Sequence, residues 1–237
     1  MRIITYASSS DGNLYKVKGS NESLLLEAGL TITNIKKHLN YDFSGITGCL
    51  VSHEHKDHSK CVSGLCKFGI NCYMSEGTQK AIDIDSCYVN TVESKKQFNI
   101  GKEFTVMPLD TQHDACEPFG YVIYNKLLKT KLLFITDTYY FKYKIPSLTH
   151  IMIESNYNLE LLDENIKLGI VEPARKPRLI RSHFEESRVL EFFEANDLSK
   201  LQEVLLIHTS KDSSTPDFDK VLQEKLGSHI KVSAAKQ

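Results

Sequence analysis

Six residues, His53-Glu54-His55-Lys56-Asp57-His58, follow directly on the apolar run Ile46-Thr47-Gly48-Cys49-Leu50-Val51-Ser52. That junction constrains the fold more than any other stretch of the chain. The apolar run predicts a buried strand, but three imidazoles and a carboxylate cannot follow it into a core. Each needs a hydrogen-bond partner or a cation once it is taken out of water. The run therefore reads as a metal site at the end of a buried strand. Alternate side chains of extended backbone project to one side, so His53 and His55 can share one ion. Asp57 and His58 fall where the chain turns into a helix expected over residues 58–68, and they point elsewhere. The spacing predicts two ions, each completed from other parts of the chain. Imidazole and carboxylate suit zinc, and also manganese or iron. The competing reading is a solvated loop that is merely rich in histidine, although such clusters commonly bind metal.

Candidate partners cap other apolar runs. His113 follows the strand-like residues 103–109, Asp137 follows 132–136, and His208 follows 203–207. Any one of these alone reads as a surface residue at a strand terminus or a satisfied core histidine. Together with the first cluster they form a pattern of polar groups at strand ends.

His53, His55, Asp57 and His58 match an HxHxDH motif in full, and His113, Asp137 and His208 follow in order. In these residues the chain resembles the metallo-β-lactamase-fold hydrolases. Ala7-Ser8-Ser9-Ser10-Asp11-Gly12-Asn13, Glu27-Ala28-Gly29-Leu30, residues 113–121 and Glu154-Ser155-Asn156 are similar to the YycJ (WalJ)-like branch, regarded as nucleases. The similarity runs from about residue 2 to beyond residue 208. It implies an α/β (α+β) fold, a four-layer αββα sandwich of two mixed β-sheets flanked by helices. It also implies two divalent ions, zinc or manganese, with His53, His55 and His113 on the first, Asp57, His58 and His208 on the second, and Asp137 bridging. A hydroxide between the ions would attack a phosphodiester of DNA, favoured over RNA. A bound divalent cation lowers the pKa of water from about 15.7 to about 7. Asp57 and Asp137 thereby gain catalytic roles beside their ligand roles.

The chain departs from the branch in three places. Glu27 stands where aspartate is usual, Tyr157 and Asn158 replace a His-Asp pair, and Ser182-His183-Phe184-Glu185 replaces Gly-His-Leu-Ser. His183 follows a basic stretch, 175–181, and precedes a helix expected over residues 184–196 with Ser182 as its N-cap. A helix N-terminus and nearby arginines favour anions, so His183 and Arg181 are candidates for contacting a phosphate, with His183 also able to protonate a leaving oxygen. The plain alternative is a solvated basic loop. By the resemblance, Ser9, Ser10, Asn13 and Asn156 join them as candidate substrate contacts. Without it, the serines simply make a turn.

Composition agrees with one enzyme domain over residues 1–237, since a chain of this length can bury a sizeable core. With 29 Lys and Arg against 30 Asp and Glu, no general attraction to nucleic acid is expected. Local patches at 126–131 and 175–181 would have to supply it. The six cysteines lack paired CxxC spacing and read as buried thiols. No signal-like or membrane-length apolar run is present, so a cytoplasmic location away from membranes is expected. Strands are expected near 3–6, 14–17, 23–27, 47–52, 71–74, 104–109, 121–124, 132–136, 151–154, 203–207 and 230–232. Helices are expected at 32–39, 58–68, 159–168, 184–196 and 216–226. Three functions compete: a di-metal nuclease, a metallo-hydrolase of a cyclic phosphodiester, thioester or lactone, and a non-catalytic metal-binding module.

Overall fold

The computed structural model describes residues 1–235. They divide into two units, residues 1–110 with 115–130 and residues 111–114 with 131–235.

The first unit holds a six-stranded sheet in sequence order: β1 (Arg2–Ser9), β2 (Gly12–Lys18), β3 (Ser23–Leu26), β4 (Ile46–Leu50), β5 (Cys72–Met74) and β6 (Val89–Thr91). β1 to β3 pair antiparallel through tight turns, and β3 to β6 pair parallel. Parallel neighbours need crossovers. These are α1 (Ile32–His38), α2 (Lys56–Ser59) with α3 (Val62–Lys67), and α4 (Glu76–Ala81). Ile35, Val62 and Leu65 of these helices pack in one cluster with Leu25, Cys49, Val51 and Cys72 of the sheet. The other face of the sheet meets an antiparallel ribbon of β7 (Phe98–Ile100), β8 (Phe104–Asp110) and β9 (Phe119–Asn125). Gly48 permits that approach, because a Cβ there would lie 2.8 Å from the Tyr73 ring and 3.1 Å from Ile100. The Tyr121 hydroxyl donates to the Val51 carbonyl at 2.6 Å and Phe119 N–H to the Ser52 carbonyl at 2.9 Å. Both bonds fix the end of β4, where the histidine run begins.

A buried carboxylate clamps two turns of this unit together. Glu103 accepts from Ser20 N–H at 2.8 Å, from Asn21 N–H at 2.7 Å and from the Asn21 and Asn125 amides at 3.0 Å each. Burial alone would raise its pKa, but these donors outweigh that and hold it below the ordinary glutamate value. A depressed folded pKa contributes stability that is present above the unfolded pKa and lost as pH falls through the folded one. Glu103→Ala is therefore expected to lower stability by about 1–3 kcal/mol near neutrality. The deficit should shrink in acid, as read from urea unfolding at neutral and acidic pH.

In the second unit β10 (Thr130–Ile135, all but its first residue), β11 (His150–Glu154), β12 (Glu203–Ile207) and β13 (Lys231–Ala234) pair parallel in that order. Leu132 to Ile135, Ile151 to Ile153 and Val204 to Ile207 are all buried, as expected of strands covered on both faces. Helices α5 (Leu159–Lys167), α6 (Lys176–Ser182), α7 (Glu186–Ala195) and α8 (Phe218–Leu226) fill the later connections, with a 3-10 turn at Pro173–Arg175.

Several expectations are corrected. The helix expected over 58–68 is two helices, because Cys61 N–H bonds to the Ala28 carbonyl at 2.8 Å instead of to its own helix. Residues 176–182 are helical rather than a loop, with Pro177 in the first turn where its missing N–H costs nothing. Ser182 thus closes α6 and does not cap α7, which begins at Glu186. The last helix starts at Phe218, after Asp217 in a left-handed conformation, rather than at Pro216. Cys87 and Cys116 are exposed; the other four thiols are buried. Among the described residues no helix is long and apolar enough to cross a membrane.

Candidate metal centre

The first unit presents the whole HxHxDH run at the end of β4. His53 Nδ1 lies 2.9 Å from Ser52 Oγ, which sets the ring, and His53 Nε2 lies 3.0 Å from His55 Nδ1. Two imidazole nitrogens therefore converge on one spot. His58 stacks obliquely on His53 at 4.2 Å between centroids, and its Nε2 lies 3.1 Å from Asp57 Oδ2. The structure thus forms two adjacent pairs, His53 with His55 and Asp57 with His58.

Three buried residues hold this run from behind. Glu27, fully buried at φ +67°, accepts from Ser52 N–H at 3.3 Å and faces His58 Nδ1 at 3.6 Å. The longer side chain still orders the loop. Asn13 Nδ2 donates to the Ser9 carbonyl at 3.0 Å and the Asp57 carbonyl at 3.3 Å, and its Oδ1 accepts from the Tyr15 hydroxyl at 3.1 Å. Gly29 lies so close that an added Cβ would sit 1.7 Å from the Asp57 carbonyl oxygen. Gly29→Ala must displace the Asp57 backbone, and overpacking of this kind costs about 1–3 kcal/mol. The expected result is a lowered unfolding midpoint together with weakened metal affinity.

The second unit supplies donors at three strand ends. Asp137 and His208 follow β10 and β12 with φ of +28° and +52°. Non-glycine residues persist in such conformations where the surroundings over-determine them, and these cluster at functional sites. Asp137 Oδ1 accepts from the Thr136 hydroxyl at 2.8 Å and lies 3.3 Å from His208 Nδ1, while Oδ2 lies 3.7 Å from His113 Nε2. His113 Nδ1 sits 2.8 Å from the Ser182 carbonyl, which only accepts. Nδ1 therefore carries the proton and Nε2 presents the lone pair. Burial lowers the His113 pKa and favours this neutral ligand form.

Glu154, at the end of β11, organises the rest. Its Oε1 lies 2.6 Å from His183 Nδ1 and 3.0 Å from His208 Nδ1, and its Oε2 accepts from Thr138 N–H at 3.0 Å and Phe184 N–H at 3.1 Å. Donor atoms of Asp137, Glu154, His183 and His208 all lie within 4.8 Å of one another. Burial alone would raise Glu154 and lower His183, but their mutual charge and hydrogen bond outweigh it. Glu154 is held below, and His183 above, its ordinary pKa. Four polar groups already surround Glu154, an arrangement suited to positioning the two histidines.

His183 occupies an extended link after α6, near that helix's C-terminus, so the helix-dipole argument runs opposite to expectation and favours the imidazolium. Arg181 is exposed on the last turn of α6. Asn156 is buried and donates to the His208 carbonyl at 2.9 Å, supporting the strained backbone there. Ser9 Oγ accepts from Asp11 N–H at 3.2 Å in the β1–β2 turn, and Ser10 is exposed beside it. Asn158 caps α5, accepting from Leu161 N–H at 3.0 Å. Glu154, absent from the expected site, obeys the rule that finds Asp137: a lone polar residue ends an apolar run.

The donor set fits a divalent cation of intermediate softness: imidazoles and carboxylates at strand ends, oriented from behind by a carbonyl, a hydroxyl and carboxylates. No family model matches the sequence. Over 171 residues the chain is 31% identical to exodeoxyribonuclease YycJ of Bacillus anthracis, covering 66% of this chain and 63% of that protein. It is likewise 31% identical over 173 residues to exodeoxyribonuclease WalJ of Streptococcus pneumoniae, covering 66% and 62%. The match spans a little under two thirds of the length of these relatives. Among solved structures, the metallo-β-lactamase fold protein YhfI of Bacillus subtilis superposes with a TM-score of 0.74 at 15% identity, over 99% of this chain and 95% of that one. The chain has the metallo-β-lactamase fold. That fold, two mixed β-sheets flanked by helices, accounts for polar residues gathered at strand ends, where a rigid scaffold presents a site.

Proposed function

We propose that this metallo-β-lactamase-fold chain is a metal-dependent phosphodiester hydrolase acting on DNA. The clusters of buried and partly buried histidines and carboxylates at strand ends carry the reading, and the similarity to YycJ and WalJ supports DNA as substrate. His53, His55 and His113 would hold one divalent ion, Asp57, His58 and His208 a second, and Asp137 would serve both. Zinc and manganese suit these donors. When bound, the ions supply an activated water and neutralise charge building on the phosphoryl oxygens.

The chain's own residues do the rest. His183, held by Glu154, donates a proton to the leaving oxygen. Asn13, Glu27 and Asn156 keep the ligand backbones in place, and Arg181 contacts the DNA backbone. Ser9 and Ser10 border the substrate. The four buried thiols fit a reducing cytoplasm.

End-labelled single- and double-stranded DNA, RNA and a small generic phosphodiester, each supplied with zinc or manganese, test this. DNA is expected to be degraded with either metal. Cleavage of the small ester alone, abolished in Asp57→Ala, would instead identify a small-molecule hydrolase. Arg181→Ala is expected to slow DNA cleavage several-fold more than cleavage of the small ester. Equal effects on both would remove its role at the DNA backbone.

A further inference from the structure

Parallel strands are normally joined by a helix, yet residues 138–148, linking β10 to β11 behind Asp137, contain none. The segment reads Thr138-Tyr139-Tyr140-Phe141-Lys142-Tyr143-Lys144, with aromatic rings interleaved with lysines. Phe141 is buried and packs on Tyr143 at 5.3 Å and on Phe192 of α7 at 6.2 Å between centroids. Arg188 of α7 donates to the Tyr139 carbonyl at 2.8 Å. The segment is therefore pinned in a defined shape, but not all of it is buried. Tyr140 remains 52% exposed, and Lys142 and Lys144 are exposed.

Between the segment and α7 lies a pocket of about 200 Å³, walled by Tyr140, Tyr143 and Phe192 and edged by Lys142, Lys144 and Arg188. One carboxylate, Glu191, also lines it. The volume is below the roughly 300–1,000 Å³ of pockets that enclose drug-sized ligands, and suits a single planar group. Aromatic walls with three cations against one anion match a flat ring attached to a negative charge. Interleaved stacking rings and cations are how sequence-tolerant binding of single strands is achieved.

We propose that this pocket takes one unpaired nucleotide of a DNA strand, its base against Tyr140 and Tyr143 and its phosphate on Lys142, Lys144 or Arg188. The proposal rests on the nuclease reading above for its choice of DNA, but the binding it describes involves none of the candidate ligands. It makes the enzyme prefer strands with single-stranded ends.

The test is fluorescence anisotropy of the as-purified protein with a labelled phosphorothioate oligothymidylate of about twelve nucleotides, within the range of single-strand site sizes. The backbone resists hydrolysis, and a blunt duplex is measured beside it. Tyr140→Ala is expected to raise the Kd for the single strand about 5- to 150-fold, the range for removing one base-stacking ring. Tyr140→Phe should restore it, and duplex binding should not change. Replacing Lys142 and Lys144 by alanine should reduce the slope of log K against log salt by about 0.7 for each phosphate no longer neutralised. A wild-type protein that does not bind the single strand, or an unchanged Kd in Tyr140→Ala, overturns the proposal; either result is expected if the face instead serves a protein partner. Binding that depends on Tyr140, in a protein that cleaves no DNA with metal supplied, keeps the pocket and defeats the nuclease reading. DNA cleavage with an unchanged Kd in Tyr140→Ala does the reverse.

Discussion

Asp137→Gly is expected to lower DNA hydrolysis by at least about 1,000-fold, some 4 kcal/mol of transition-state stabilisation, while leaving the fold intact or slightly firmer. Two features of one residue produce this separation. Its carboxylate approaches His113 and His208 from β10 and is the donor proposed to serve both ions. Its backbone is left-handed at φ +28°, a conformation glycine adopts without the penalty an aspartate bears. Loss of the carboxylate is expected to abolish the proposed chemistry, and loss of the Cβ to relax the strain. Asp137→Asn should lose activity comparably, since a neutral amide is a poor ligand, but without the stability gain. Steady-state rates and thermal unfolding of the two variants check this. A slow Asp137→Gly protein that also unfolds many degrees earlier would mean the residue is chiefly structural.

Glu154→Ala is expected to cost about 3–5 kcal/mol of stability, the scale for leaving one partner of a buried ion pair uncompensated. The fully buried carboxylate satisfies two imidazoles and the N–H groups of Thr138 and Phe184. Glu154→Gln should recover part of the stability, because an amide oxygen still accepts from the backbone while the charge facing His183 is gone. Urea unfolding of the three proteins measures the order. Near-equal stabilities would contradict the place given to Glu154 at the centre of the unit.

Much of the candidate site's placement at strand ends was legible in the sequence, for one physical reason. A lone polar residue ending an apolar run must face an opening or a partner, and that rule locates His113, Asp137 and His208 as well as the histidine run. Glu154 obeys it too, but a carboxylate after His150-Ile151-Met152-Ile153 looks like an ordinary strand terminus. What lies behind the ligands is harder to read. Asn13 and Asn156 enter as substrate contacts only through the family resemblance; their burial depends on long-range packing that the sequence does not show. Helix α6 is concealed by its own composition, since Lys176, Pro177, Arg178 and Arg181 look like a solvated loop. The break between α2 and α3 depends on the Ala28 carbonyl, which is distant in sequence. Strands β6 and β7, three residues each, are too short to show a period.

The most direct measurement is the transition-metal content of the chain purified without added metal, determined by elemental analysis beside Asp57→Ala and His53→Ala. Close to two ions per chain are expected in the natural sequence, falling in both variants together with DNA hydrolysis. Zero or one ion in the natural sequence, or full hydrolysis after the metal has been stripped, would contradict a two-metal phosphodiesterase.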